Sequence, residues 1–197
     1  LCDCSIAGNF GFPQAANAAA AVVLDTMPET KKWLDYLMAP GWIRNLDYGE
    51  KCLGGGIDSQ LINDVDHDGQ GDEASGYNVA WHTSLIDIAD ILEGYDRYPV
   101  ANLYKNPKFV KMFYSNIPLM LSYYTPGIGD TAWTAREGNW LPMRQAMTGY
   151  RVLGDYRFAQ IMYKLNGDRA KGLRYDTRTK GSLHHKLWYL LSVPTSV

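Results

Sequence analysis

The sequence predicts an all-α chain assembled from helical hairpins. Three observations carry that expectation. Apolar residues recur at three- and four-residue spacing through most of the chain, the period of one helix face. Proline and glycine punctuate those stretches where helices start and stop. Strand signals are sparse, with no long β-branched alternation and no Asn-Gly turn between two alternating runs.

The first expected helix covers residues 14–24 and is opened by Pro13, whose fixed φ suits a first turn. Pro28 and Glu29 open the second, 28–38, where an acidic side chain meets the positive end of the helix. In it Trp33, Leu34, Leu37 and Met38 form a one-sided apolar stripe, with Lys31, Lys32 and Asp35 facing elsewhere. Pro40-Gly41 stops it, and the two helices read as a hairpin. From 41 to 76 the pattern dissolves into Gly, Asp and Asn, including Gly54-Gly55-Gly56 and an acidic run. A loop of that length is usually functional or disordered. The helical period resumes over 77–93, with Trp81, Leu85, Ile88, Ala89 and Leu92 on its apolar face and Gly94 as its stop. Helices are then expected over 107–124, 139–153, 156–165 and 183–191, the first of them kinked or broken at Pro118. Gly154-Asp155 and Asn166-Gly167-Asp168 read as short turns between them. About seven helices joined alternately by short turns and long loops stack as a bundle, a solenoid or a closed toroid, and periodicity alone does not choose. Residues 1–197 are read as a single helical domain with its loops gathered at one end.

Composition narrows the function. At 46% hydrophobic and 20% charged, 197 residues bury the core of one globular domain. Nineteen basic residues against 21 acidic ones leave a formal charge of −2, so no overall field draws in nucleic acid or an anionic membrane. The longest apolar run, 18–24, is far short of the ~20 residues that span a bilayer. Cys2, Cys4 and Cys52 make neither a disulfide scaffold nor a CxxC zinc site, although one disulfide is open to them. The chain starts at Leu1 without a basic-then-apolar leader, which suggests a processed chain or a fragment. Aromatics make 13% of it, many beside Gly, Pro, Asn and Asp, as in sugar-binding clefts; the same residues also fill helical cores with their polar tips wet.

The sharpest local signal runs from Asp64 to Glu73. Asp64, Asp66, Asp68 and Asp72 fall at positions one, three, five and nine of a loop with Gly69 at six, and the carbonyl of Gln70 stands at seven. Hard cations take several oxygens, and this spacing converges them on one side of a tight turn, so calcium is the expected ligand. The alternative is a solvated acidic loop. Ser75 holds the twelfth position where an EF-hand has Glu, and the pattern is nearer to the short aspartate loops of extracellular calcium modules.

Glu73 and Tyr77 are four residues apart at the start of a helix, a spacing that sets an acid and a phenol on one face. His82 follows one turn and a bit later, either at the rim of the same cleft or as a structural histidine. Arg136 lies near Trp133 and Trp140; an Arg among aromatics suits a sugar carboxylate or sulfate, and equally an ordinary salt bridge. His184-His185 point apart on a helix and do not share a metal. No phosphate loop, Gly-x-Ser-x-Gly elbow or His-Glu-x-x-His site is present.

Three separated segments carry a family resemblance. Gly8-Asn9-Phe10-Gly11, with Gln14 and the Ala-rich helix ending Val22-Val23-Leu24-Asp25, resembles the segment of heparinase II/III-like polysaccharide lyases in which an Asn-His-Gly turn precedes such a helix. Asp68-Gly69 through Glu73 and Tyr77 resembles their Asp-Gly, Glu and Tyr segment. Leu103-Tyr104 to Gly129-Asp130-Thr131 resembles their Tyr-n-Pro helix and the Ile-Gly-Asp turn after it. The resemblance implies an (α/α) toroid, incomplete here, whose cleft holds an acidic polysaccharide and which a β-sandwich domain usually follows. A flanking domain, or a second chain, is then expected to complete it, in a secreted or periplasmic protein.

The implied reaction is β-elimination at a uronic acid. A proton leaves C5, the carboxylate is stabilised as it takes on enolate character, and the C4 oxygen departs. By resemblance Tyr77 is the acid/base, Asn9 the amide that hydrogen-bonds the carboxylate, and Glu73 a substrate contact or part of the calcium shell. Phe10 departs from the family, standing where many relatives have His, and it neither donates a hydrogen bond nor exchanges a proton. Two rivals stay open. An (α/α)-toroid hydrolase needs paired carboxylates, for which Glu73 and Asp130 are available. A calcium-stabilised module that binds glycan without cleaving it is favoured by Phe10.

Overall fold

A computed structural model describes residues 11–38, 42–44, 51–53, 56–71, 75–119 and 143–169. Among them are seven α-helices, a two-stranded antiparallel ribbon and two short 3-10 turns at Pro99–Ala101 and Leu103–Lys105. The helices are α1 Phe12–Leu24, α2 Glu29–Met38, α3 Ile57–Asn63, α4 Ser75–Leu92, α5 Pro107–Ser115, α6 Met143–Leu153 and α7 Tyr156–Leu165. The chain divides into two compact units, Leu1–Trp140 and Leu141–Val197; α1 to α5 belong to the first, α6 and α7 to the second.

The helical expectation holds for these elements, with two differences. The stretch expected as loop over 41–76 contains α3, together with strands β1 Trp42–Arg44 and β2 Lys51–Leu53, paired Ile43 to Cys52. Gly56 caps α3 in an extended conformation, and Ile57 and Leu61, one turn apart, are both buried. The break expected near Pro118 is present: the helix opening at Pro107 ends at Ser115, since Pro118 has no N–H to give and disfavours helical backbone in the residue before it. Trp33 is 45% exposed, outside the stripe assigned to it; Thr30, Leu34, Leu37 and Met38 form the buried face, and Trp33 sits one residue off that row. The expected helix over 183–191 lies outside the described residues.

In the first unit α1 packs on both α2 and α4. Its start is set by Gly11, with φ +102, whose N–H donates to Gln14 Oε1 at 2.8 Å. A Cβ on Gly11 would stand 2.4 Å from Ser84 Cβ, so glycine lets the start of α1 lie directly against α4. At the far end, Asp25 closes α1 in the left-handed region, accepting from Tyr95 Oη at 2.6 Å and from Arg97 Nη1 at 3.0 Å. Ser84 is in α4 and Tyr95 lies beyond its end, so α1 and α4 run parallel. Helix α2 returns antiparallel to α1, with Thr30 Oγ1 donating to Ala21 O at 2.9 Å. Helix α5 returns antiparallel to α4: near its start Tyr104 bonds Asp90, and further along Phe109 and Phe113 meet His82. Two hairpins, α1–α2 and α4–α5, thus place their first helices side by side.

The core follows from this arrangement. Ala18 and Ala21 let α1 approach α4 closely, while α4 buries Trp81, Leu85, Ile86, Ile88, Ala89 and Leu92 on several faces. A helix apolar on so many sides belongs between two neighbours, here α1 and α5. Each large side chain fully buried in this way contributes roughly 1.5–3 kcal/mol.

In the second unit α6 and α7 form a hairpin across Gly154, with φ +66, and Asp155, whose carboxylate caps Arg157 N–H at 2.9 Å. Gly149 faces the Phe158 ring so closely that a Cβ would stand 2.9 Å from it.

Candidate functional site

The candidate site is the end of the first unit where α1 and α4 begin. Tyr77 stands in the first turn of α4, its ring 42% exposed. Ser84, where α1 begins against α4, is seven residues further on, about 10 Å along the axis at 1.5 Å per residue. The start of α4 therefore projects beyond that of α1.

Before α4 the acidic segment forms a small hairpin. Val65 and Gly71 bridge antiparallel, Asp66 N–H donates to Gln70 O at 2.7 Å, and Gly69 N–H donates to Asp66 O at 3.0 Å. Asp68 Oδ1 accepts Gln70 N–H at 3.0 Å. Gly69 takes φ +92, which L side chains avoid, and so lets the turn close. The Asp/Gly spacing that reads as a calcium loop is also good turn chemistry.

This hairpin is held from both sides. From α5, Lys108 Nζ donates to Val65 O, and Lys111 Nζ donates to His67 O at 2.6 Å. A Cβ on Gly69 would meet the Lys111 backbone at 2.4 Å, so the turn rests directly on α5. From α4, the buried Asn78 donates from Nδ2 to Gly71 O at 3.0 Å. Gly71 has no room for a Cβ, which would lie 2.3 Å from Asn78 Oδ1 and 2.8 Å from Trp81 Cζ3. The sequence carries little signal for Asn78, Lys108 and Lys111; the two lysines share only an i, i+3 spacing on one helix.

Of the residues expected to act, Tyr77, Asp64, Asp66, Asp68 and Gln70 fall within this end of the unit, and His82 does not reach its surface. His82 is only 2% exposed, packed edge-on to Phe109 at 5.5 Å and to Phe113 at 4.4 Å between ring centroids. The reason is angular: at 100° per residue, five residues place His82 some 140° around α4 from Tyr77. It is a packing residue between α4 and α5, which corrects its placement at a cleft rim. Asn9, Asp72, Glu73, Trp133 and Arg136 lie outside the described residues.

Asp64, Asp66 and Asp68 do not converge. Among the described residues no group of three or more His, Cys, Asp or Glu side chains is placed to hold a metal ion. The Gln70 carbonyl, which the calcium reading assigns to the ion, accepts from Asp66 instead. Asp72, the position-nine donor of the calcium reading, lies outside the described residues, so only part of that donor set is placed.

Among the described residues, the titratable groups with shifted equilibria lie elsewhere. Tyr98 donates to Asp35 Oδ1 at 2.8 Å, and its phenol is pushed up first by burial and then by that bond. Asp35 is held low by hydrogen bonds from Lys31 and then from Tyr98. Burial raises Asp58, and the bond to Asp25 raises Tyr95. Tyr95 and Tyr98 follow the C-terminal end of α4, away from Tyr77, and their bonds tie that connection to α1 and α2.

No known protein family matches the chain, and neither a curated protein nor a solved structure shows detectable similarity to it. No helix among the described residues is long and apolar enough to cross a membrane.

Proposed function

We propose that this chain is a polysaccharide lyase domain of the heparinase II/III-like kind, acting on an acidic, uronate-containing glycan outside the cytoplasm. The observation that supports this reading best is the parallel course of α1 and α4. Gly11 and Gln14 at the start of α1, and Tyr77 in the first turn of α4, stand toward the same end of the unit, and all three belong to segments that carry the family resemblance. Stacked hairpins with parallel first helices are also the repeating unit of an (α/α) toroid.

In this reading the glycan lies across the start of α4, where the exposed Tyr77 ring offers both a stacking face and a hydroxyl. Asn9 donates to the uronate carboxylate as C5 loses its proton and negative charge builds there. Tyr77 takes the C5 proton and returns one to the C4 oxygen, so that the C4–O bond breaks and a C4–C5 double bond forms. Glu73, Trp133 and Arg136 contact neighbouring sugars, Arg136 at a carboxylate or sulfate. A further base from a flanking β domain or partner chain completes the chemistry in this kind of lyase. No step is assigned to calcium.

One observation favours a second reading, a glycan-binding module without activity: Phe10 stands where a proton-exchanging His is expected. Incubation with heparan sulfate, chondroitin, hyaluronan and alginate, following ultraviolet absorbance from the new double bond, separates the two. A rise on one substrate supports the lyase; binding with no rise supports the module; neither binding nor a rise removes both.

A further inference from the structure

We infer that Lys108 and Lys111 of α5 hold the aspartate-rich hairpin in the way a divalent cation would, and so act as positioning residues for the Tyr77 end of α4. Their role in the hairpin stands on the geometry alone; their bearing on Tyr77 rests on the function proposed above.

A calcium loop works by gathering carboxylates and a backbone carbonyl around one charge. Here the charges come from the protein. Two ammonium groups, three residues apart on one helix, donate to the carbonyls of Val65 and His67, the residues flanking Asp66. Hydrogen bonds from charged donors are about twice as strong as neutral ones, so two of them hold this strand of the hairpin firmly on α5. The Gln70 carbonyl accepts Asp66 N–H and the Asp68 carboxylate accepts Gln70 N–H, so the hairpin is closed by its own hydrogen bonds. Gly69 seats the turn against the Lys111 backbone with no space for a side chain between them. The far strand of the hairpin then ends at Gly71, bonded to Asn78, the residue after Tyr77. A chain of direct contacts thus runs from α5 through the hairpin to the first turn of α4.

The test is amide hydrogen exchange at Asp66 and Gly69 in the full chain, with and without chelator and with added calcium, for the native protein, Lys111→Met, Lys108→Met/Lys111→Met and Lys111→Arg. Exchange in the native protein is expected to be unchanged by chelator or calcium. It should rise about tenfold in Lys111→Met, the scale of one charge-assisted bond lost, and further in the double variant. Lys111→Arg, whose guanidinium also donates to a carbonyl, should restore protection. Lys111 is exposed, so its replacement leaves the core of α5 intact; the far-ultraviolet dichroism of each variant checks this, and Lys111→Arg keeps the comparison meaningful if Met unfolds the helix. Chelator-sensitive exchange in the native protein, or unchanged exchange in the double variant, overturns the inference. If the native protein eliminates on a uronan, turnover should fall in Lys111→Met and recover in Lys111→Arg at constant KM; turnover unaffected by Lys111→Met overturns the positioning half. Absence of any elimination counts against the proposed function, while the exchange result still decides how the hairpin is held.

Discussion

Asn78 Nδ2 donates to the carbonyl of Gly71 at 3.0 Å, joining the first turn of α4 to the hairpin before it through a buried bond. Replacing Asn78 with Leu keeps much of the side-chain volume and leaves that carbonyl buried without its donor. The expected cost is about 1–3 kcal/mol, read as a lower urea midpoint with an unchanged slope. A loss below about 0.5 kcal/mol would mean that water replaces the amide and the link is not built in.

Gly69 and Gly94 give a matched pair, because both take positive φ while their surroundings differ. At Gly94, φ +78, a Cβ meets nothing within 4 Å; at Gly69, φ +92, it meets the Lys111 backbone at 2.4 Å. Gly94→Ala should therefore cost only the left-handed backbone penalty, about 1–2 kcal/mol. Gly69→Ala should cost more, since the obstacle is main chain of α5 and cannot turn aside. Equal losses in parallel denaturation curves would show that the hairpin does not rest on α5.

The contrast between these glycines also shows how far the sequence can be read. Helix positions were legible because each carries its own period and stops: α7 was expected at Tyr156–Leu165 and is found there, between an Asp155 cap and Gly167. Helix α3 was hidden because it has barely two turns, and its single i, i+4 pair, Ile57 and Leu61, is outnumbered by the Gly and Asp around it. The hairpin at 65–71 is ambiguous in the sequence for a different reason. Aspartates alternating up to a glycine satisfy a cation and a tight turn equally well, and what separates the two is where Lys108 and Lys111 reach, a contact some 43 residues away in sequence. Likewise the burial of His82 depends on α5 lying over that side of α4, which no local pattern records.

Tyr98 predicts an alkaline limit to stability. Its phenol is raised above the ordinary tyrosine range by burial and by the bond to Asp35. A group raised on folding gives its full contribution below the unfolded pKa, near 10 for Tyr, and loses it as pH climbs toward the folded value. Asp35 runs the other way: lowered by Lys31 and Tyr98, it contributes above about pH 4 and loses that contribution as pH falls. Denaturation midpoints of the native protein should thus decline above about pH 10 more steeply than those of Tyr98→Phe. Parallel declines would show that Tyr98 is not responsible.

Tyr77 and His82, five residues apart on α4, separate surface chemistry from packing. The Tyr77 ring is half in solvent and its hydroxyl can be removed without touching the core, so Tyr77→Phe should change stability by less than about 0.5 kcal/mol. If the phenol carries the proton, the same variant abolishes the ultraviolet signal of elimination while still binding the glycan. His82→Ala should do the opposite. It opens a cavity between Phe109 and Phe113 and should cost roughly 2–4 kcal/mol. At a temperature where the variant stays folded, its glycan affinity should match that of the native protein. A folded His82→Ala protein with lost affinity would return His82 to the cleft, and a fully active Tyr77→Phe protein would remove Tyr77 from the chemistry.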